Sequence, residues 1–137
     1  MRTLEWDAKN NNLKMIDQRL LPGKLVFISL NDHHRVAEAI RDMVVRGAPA
    51  IGVAAAFGMA LAAQESPAQD ANTLIEHLQI AARELQGARP TAVNLQWAVE
   101  RILRLVEQSG GDAKALRWVV LQEAQRLADE DLSLIHI

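Results

Sequence analysis

Apolar and polar positions alternate in three short segments near the start of the chain. These are Thr3 to Trp6, in part Leu13 to Asp17, and Lys24 to Ser29, which holds the β-prone run Leu25-Val26-Phe27-Ile28. An alternating period of two is the mark of a half-buried strand, so a small antiparallel sheet is expected here. Asp7-Ala-Lys-Asn-Asn-Asn12 supplies a turn-rich connector, and Leu21-Pro-Gly-Lys24 punctuates the approach to the third strand. After Ser29 the period lengthens. Asn31 and Asp32 are good helix caps, and Val36, Ala37, Ile40, Met43 and Val44 follow at helical spacing.

A second helix is expected from near Pro49 to about Ala63, because proline is tolerated in a first turn where its missing N–H costs nothing. Its residues are apolar on all sides, which marks it as the central buried helix. The stretch Ala48 to Ala63 is short for a membrane span and contains Gly and Pro. A third helix shows Leu74, Leu78, Ala81, Ala82 and Leu85, with Asp70 or Asn72 as cap. A fourth begins after Pro90-Thr91 with the stripe Leu95, Ala98, Val99, Ile102 and Val106. Gly110-Gly111 ends it, and Asp112 caps a fifth with Leu116, Val120, Ala124 and Leu127. The fold class is therefore α+β: a small N-terminal antiparallel sheet followed by a bundle of about five helices.

Composition supports this picture and narrows the function. Half of the 137 residues are apolar, enough for a real core. The net charge of −2 gives no electrostatic reason to bind nucleic acid or an acidic membrane. With no cysteine, the chain has neither a disulfide framework nor a thiolate nucleophile or metal ligand. The polar start Met1-Arg-Thr-Leu-Glu-Trp6 is not a secretory signal, so a cytoplasmic location is expected.

Two segments place an arginine just before a helix. In Arg46-Gly-Ala-Pro-Ala-Ile-Gly52, free N–H groups at a helix start, the positive end of its dipole and a guanidinium together favour a phosphate. Gly47 would allow close approach of the backbone, and Arg46 would grip two oxygens at once. The same residues also read as a tight inter-helix turn, with Gly52 permitting close packing. On these features alone the turn is favoured, because helix starts are common and bound anions are not. Arg89-Pro-Thr-Ala-Val-Asn-Leu95 repeats the arrangement with the Thr91 hydroxyl beside it. Alone, Arg89 reads more readily as a solvated loop residue, and Asn94 equally as a site residue or a helix-surface one.

The stretch from Ala37 to Gly58, centred on Arg-Gly-Ala-Pro-Ala-Ile-Gly, resembles the signature of the methylthioribose-1-phosphate isomerases, within the translation initiation factor 2B alpha/beta/delta-like family. Arg89-Pro-Thr-Ala-Val-Asn-Leu-Gln-Trp-Ala98 resembles the second N-terminal block of that family, and Arg2 to Trp6 and Leu13 to Pro22 match further blocks. The resemblance covers residues 1–131 in order and shifts both arginine readings towards substrate binding. It implies an aldose–ketose isomerase of methionine salvage, converting 5-methylthioribose 1-phosphate to 5-methylthioribulose 1-phosphate. It implies substrate contacts from Arg46, Gly47, Ala48 and Arg89, with no cofactor and no metal. The proton-transfer cysteine and aspartate of the family belong to a C-terminal Rossmann-like domain and have no counterpart here. This chain is therefore expected to hold substrate-binding residues without the catalytic pair and to be inactive alone. A homodimer is expected at full length. The alternatives are a non-catalytic regulatory subunit related to translation initiation factor 2B, and ribose-1,5-bisphosphate isomerase.

The domain is expected to occupy residues 1–131. Leu132-Ser-Leu-Ile-His-Ile137 resembles a translated sequencing adapter and is read as a non-native tail. His33 and His34 are adjacent, which does not suit two ligands on one helix face, and are read as polar residues of a helix start. His77 is assigned to a polar helix face, and Asp129, Glu130 and Asp131 to a solvated helix end. Trp97 and Trp118 are read as packing residues, and Met43 and Met59 as core filler.

Overall fold

The computed structural model describes residues 3–131; the tail at 132–137 lies outside them. The three strands are β1 (Leu4–Asp7), β2 (Asn12–Ile16) and β3 (Phe27–Leu30), paired antiparallel in the order β1-β2-β3. Their register sets Leu4 opposite Met15, Trp6 opposite Leu13, Met15 opposite Ile28 and Leu13 opposite Leu30. These six side chains share one face and press on the helices, whereas Glu5, Lys14 and Ser29 share the other. The Asp7 carboxylate closes the β1–β2 turn by accepting the Lys9 and Asn10 N–H groups. β3 begins three residues later than the alternation suggested, and Phe27 at its start is exposed.

Five helices follow: α1 (His33–Arg41), α2 (Ala48–Glu65), α3 (Ala71–Ala88), α4 (Val93–Gln108) and α5 (Ala113–Asp131). Three begin on an aspartate predicted as a cap. Asp32 accepts the Arg35 N–H at 2.8 Å, Asp70 the Thr73 N–H at 2.9 Å and Asp112 the Ala115 N–H at 2.9 Å. Asp70 also accepts from the Thr73 hydroxyl at 2.8 Å. Asp70→Ala should therefore destabilise the domain by about 1 kcal/mol, read as a lowered midpoint in thermal unfolding. An unchanged midpoint would show that α3 is held by packing alone.

α2 is the axis of the domain. Every residue from Ala50 to Ala63 is buried, enclosed by α1, α3, α4 and α5. By length and composition this helix is apolar enough to cross a membrane, yet 78% of it is buried inside the protein. Its small side chains let neighbours approach closely. A Cβ at Gly52 would lie 3.1 Å from the Asn94 carbonyl oxygen of α4, and one at Gly58 would lie 2.9 Å from Leu85 Cδ2 of α3. At the far end of α2, the Arg117 guanidinium donates to the carbonyls of Ala63, Ser66 and Ala68, which a helix end would otherwise leave open.

Several expectations need correction. α1 stops at Arg41, two residues before Met43, in a Schellman turn. Met43 takes the left-handed conformation with φ of 64°, its N–H donates to the Ile40 carbonyl, and the Val44 N–H reaches back to Ala39. Met43 is thus exposed rather than core filler, whereas Met59 is buried. Trp97 and Trp118 are 45% and 64% exposed, so neither is a packing residue of the core. Trp97 instead lies beneath the Arg101 guanidinium, 5.2 Å from its ring centre. The start of α4 needs none: it begins at Val93, after Pro90-Thr91 as expected, capped by Ala92 without a side-chain bond.

Candidate functional site

The loop before α2 and the loop before α4 come together at one cavity of about 320 Å³. It is lined by Met43, Arg46 and Gly47 of the first loop with Ala48 and Ile51 of α2, and by Arg89 and Ala92 of the second loop with Val93 and Asn94 of α4. All four residues singled out in the sequence as substrate contacts border it: Arg46, Gly47, Ala48 and Arg89. Thr91 does not. Asn94 takes both roles left open for it, because it lines the cavity while its backbone packs on Gly52.

The local backbone explains the shape. Gly47 caps α2 with φ of 95°, a left-handed conformation in which an L side chain is strained. The first intrahelical bond runs from the Ile51 N–H to the Gly47 carbonyl at 2.9 Å. The N–H groups of Ala48 and Ala50 precede that bond and have no acceptor within the helix, while Pro49 has no N–H to leave open. Among the described residues, the charged side chains on the cavity wall are the two arginines, with no carboxylate between them. Two guanidiniums and the positive end of a buried helix make this a place where an anion is favoured. Met43, 43% exposed, and Val93, 77% exposed, add an apolar rim.

Two residues that the sequence reading passed over hold the arginines in place. Gln18, in the short 3-10 turn after β2, accepts the Arg46 backbone N–H through Oε1 at 2.7 Å. Its own carbonyl accepts from Arg46 Nη2 at 2.9 Å. Gln96 of α4 donates through Nε2 to the carbonyls of Gln86 and Arg89, at 3.1 and 3.3 Å, tying the α3–α4 loop to the helix after it. A glutamine in a turn and another on a helix carry no sequence signal of such a task.

At the opposite end of α2 lies a second cluster. His33 and His34 open α1, as expected of polar residues at a helix start, and they also have acidic partners: Glu65, the last residue of α2, and Glu84 of α3 both meet them. Glu84 holds the His34 imidazole above its ordinary pKa through their direct hydrogen bond, against an opposing effect of burial. His77 is likewise engaged, its Nδ1 bonded to the Ser66 hydroxyl.

A sheet of three strands followed by a helical bundle around one buried helix is the N-terminal architecture of a known class of structures. The 5-methylthioribose 1-phosphate isomerase of Pyrococcus horikoshii is similar with a TM-score of 0.88 and 44% identity, over 94% of this chain and 36% of that one. The translation initiation factor eIF-2B subunit delta from A. fulgidus matches with a TM-score of 0.87 and 43% identity, over 96% and 37%. The sequence profile of the initiation factor 2 subunit family matches residues 44–135, and the chain belongs to that family. Curated relatives include methylthioribose-1-phosphate isomerases of Geobacter metallireducens, 46% identical over 134 residues, and of a Synechococcus strain, 48% identical over 133. Each alignment covers 97% of this chain but 38% of the relative, so the chain spans little more than a third of the proteins it matches.

Proposed function

We propose that this chain supplies the phosphate-holding wall of a methylthioribose-1-phosphate isomerase. The observation that carries the reading is the convergence of Arg46 and Arg89, 43 residues apart in sequence, on one cavity at the N terminus of α2. A sugar 1-phosphate carries its dianion on the anomeric carbon, which blocks ring opening by the ordinary hemiacetal route. An enzyme for it must hold that phosphate firmly while the ring opens and hydrogen moves between neighbouring carbons. Arg46 and Arg89 would each donate charge-assisted hydrogen bonds to the phosphate, the Ala48 and Ala50 N–H groups would add neutral ones, and Gly47 would keep the approach clear. Met43 and Val93 offer apolar surface suited to the methylthio end of the substrate.

The acid–base step needs groups that this wall does not provide. The cavity presents no carboxylate or imidazole among the described residues, and the chain has no cysteine. Binding and turnover therefore separate: the 137-residue chain is expected to bind the ester weakly and not to isomerise it.

Calorimetric titration with 5-methylthioribose 1-phosphate tests the proposal. Arg46→Ala and Arg89→Ala should each weaken binding by about 10- to 100-fold, the effect of one charged hydrogen-bonding partner. Binding unchanged in both would reject the site. The likeness to the A. fulgidus initiation factor subunit favours a second reading, a non-catalytic assembly module. Under that reading the ester would not bind in the cavity. Ribose 1,5-bisphosphate run in parallel separates the third reading, since its isomerase should prefer the doubly phosphorylated sugar.

A further inference from the structure

The cluster at the C-terminal end of α2 is built as a coordination site. His33 and His34 are the first two residues of α1, and their rings face each other with centres 4.0 Å apart at 36°. Glu65 Oε1 accepts the His33 backbone N–H at 2.8 Å and lies 3.2 Å from His33 Nδ1. A carboxylate on Nδ1 fixes the imidazole tautomer: Nδ1 carries the proton and Nε2 presents its lone pair. That lone pair faces Glu84, with Nε2 3.6 Å from Oε1. His34 Nδ1 reaches the other oxygen of the same carboxylate. One ligand atom from each of His33, His34 and Glu84 lies within 4.8 Å of the other two.

We propose that His33, His34 and Glu84 bind a divalent transition-metal ion of the zinc class, with Glu65 orienting His33. Two imidazole nitrogens and a carboxylate are the donor set such ions prefer. Mg²⁺ and Ca²⁺, which want six or more oxygen ligands, are poorly matched. Three protein ligands leave a fourth position for water or another ligand, and all three border a cavity of about 260 Å³ shared with Ala62, Ser66, His77, Ile80 and Ala81. The ligands come from α1 and α3 and the orienting carboxylate from the end of α2, so the ion would staple three helices at one point. This site is separate from the arginine cavity, since Ala48 and Glu65 are the two ends of an 18-residue helix, about 27 Å long at 1.5 Å per residue.

The test is titration of the chain with ZnCl₂ at pH 7.5, with CoCl₂ as a spectroscopic probe. One ion per chain is expected, with the visible absorption of low-coordinate cobalt and a raised melting temperature that EDTA reverses. His34→Gln and Glu84→Gln should each abolish the cobalt spectrum and weaken Zn²⁺ binding by at least about 10-fold. The His34 side chain is 61% exposed, so its loss leaves the core intact. Glu65→Gln, a positioning change, should weaken binding about 10- to 100-fold while keeping a cobalt spectrum at saturation. No saturable Zn²⁺ binding would overturn the proposal. So would undiminished binding in the His34→Gln/Glu84→Gln double variant, which places the ion elsewhere, or equal affinity for Mg²⁺.

Discussion

Phe57→Ala should lower the free energy of unfolding by about 3–5 kcal/mol, the range for deleting a fully buried aromatic ring. Phe57 is 1% exposed in the middle of α2, and its ring stacks on Trp6 of β1 with centres 5.3 Å apart and planes 5° from parallel. The stack is the principal aromatic link between sheet and bundle, so its loss removes contacts from both. The hole cannot easily close, because the flanking Ala55, Ala56 and Gly58 have little side chain to swing into it. Urea unfolding should show a lower midpoint with an unchanged slope. Phe57→Leu should recover much of the stability. A loss of less than about 1 kcal/mol, within the range of ordinary surface changes, would mean that Trp6 tilts to fill the space.

Glu123→Ala should cost about 2–3 kcal/mol at neutral pH, less than a fully buried pair because its two arginine partners are partly hydrated. The Glu123 side chain on α5 is 7% exposed, whereas those of Arg101 and Arg126 are 38% and 42% exposed. Arg126 grips both carboxylate oxygens, at 2.6 and 2.8 Å, and Arg101 of α4 donates to one of them at 3.1 Å. Removing the carboxylate deprives Arg101 and Arg126 of the anion they share, leaving Arg126 its 2.6 Å bond to Glu130. The effect carries a pH signature of known sign. The Arg126 hydrogen bonds, seconded by Arg101, hold the Glu123 carboxyl below the ordinary glutamate value of 4.5. The folded state thus favours the charged form, and the stabilisation is complete above the unfolded pKa. It is lost as pH falls through the lower, folded value. The stability difference between wild type and Glu123→Ala should be constant from pH 7 to about 5.5, and should shrink below the ordinary value. A difference that persists undiminished at pH 3 would assign the cost to packing rather than charge.

Much of this architecture was legible along the chain because single residues carried it. Asp32, Asp70 and Asp112 announce three helix starts by chemistry that acts within three residues. The unbroken apolar run from Ala50 to Ala63 marks a helix enclosed on every side. Failures came where a local cue competed with geometry. Trp97 and Trp118 each lie two residues beyond a buried leucine, Leu95 and Leu116, and so point away from the buried stripe. Their bulk and apolar character suggested burial, but the helical period decided against it. Met43 fell on the apolar spacing of α1, yet the chain leaves the helix just before it.

The arginines of the cavity were visible as helix-preceding cations, and the resemblance paired them. Neither the turn residue Gln18 nor Gln96 could be found that way, because each acts through backbone carbonyls or an amide made available only by the fold. The histidine cluster was lost for a related reason. Glu65 and Glu84 stand 32 and 50 residues from the histidines they meet, and no local pattern links them.

The missing side chain at Gly52 has a reach beyond its own helix. By letting the backbone of α4 rest on α2 at Asn94, it sets how far apart the two arginine-bearing loops stand. The gap between the two guanidiniums is thereby inherited in part from a helix crossing in the interior, and not from the loop contacts of Gln18 and Gln96 alone. One added methyl group at Gly52, 3.1 Å from the Asn94 carbonyl oxygen, would press on that crossing and change the span.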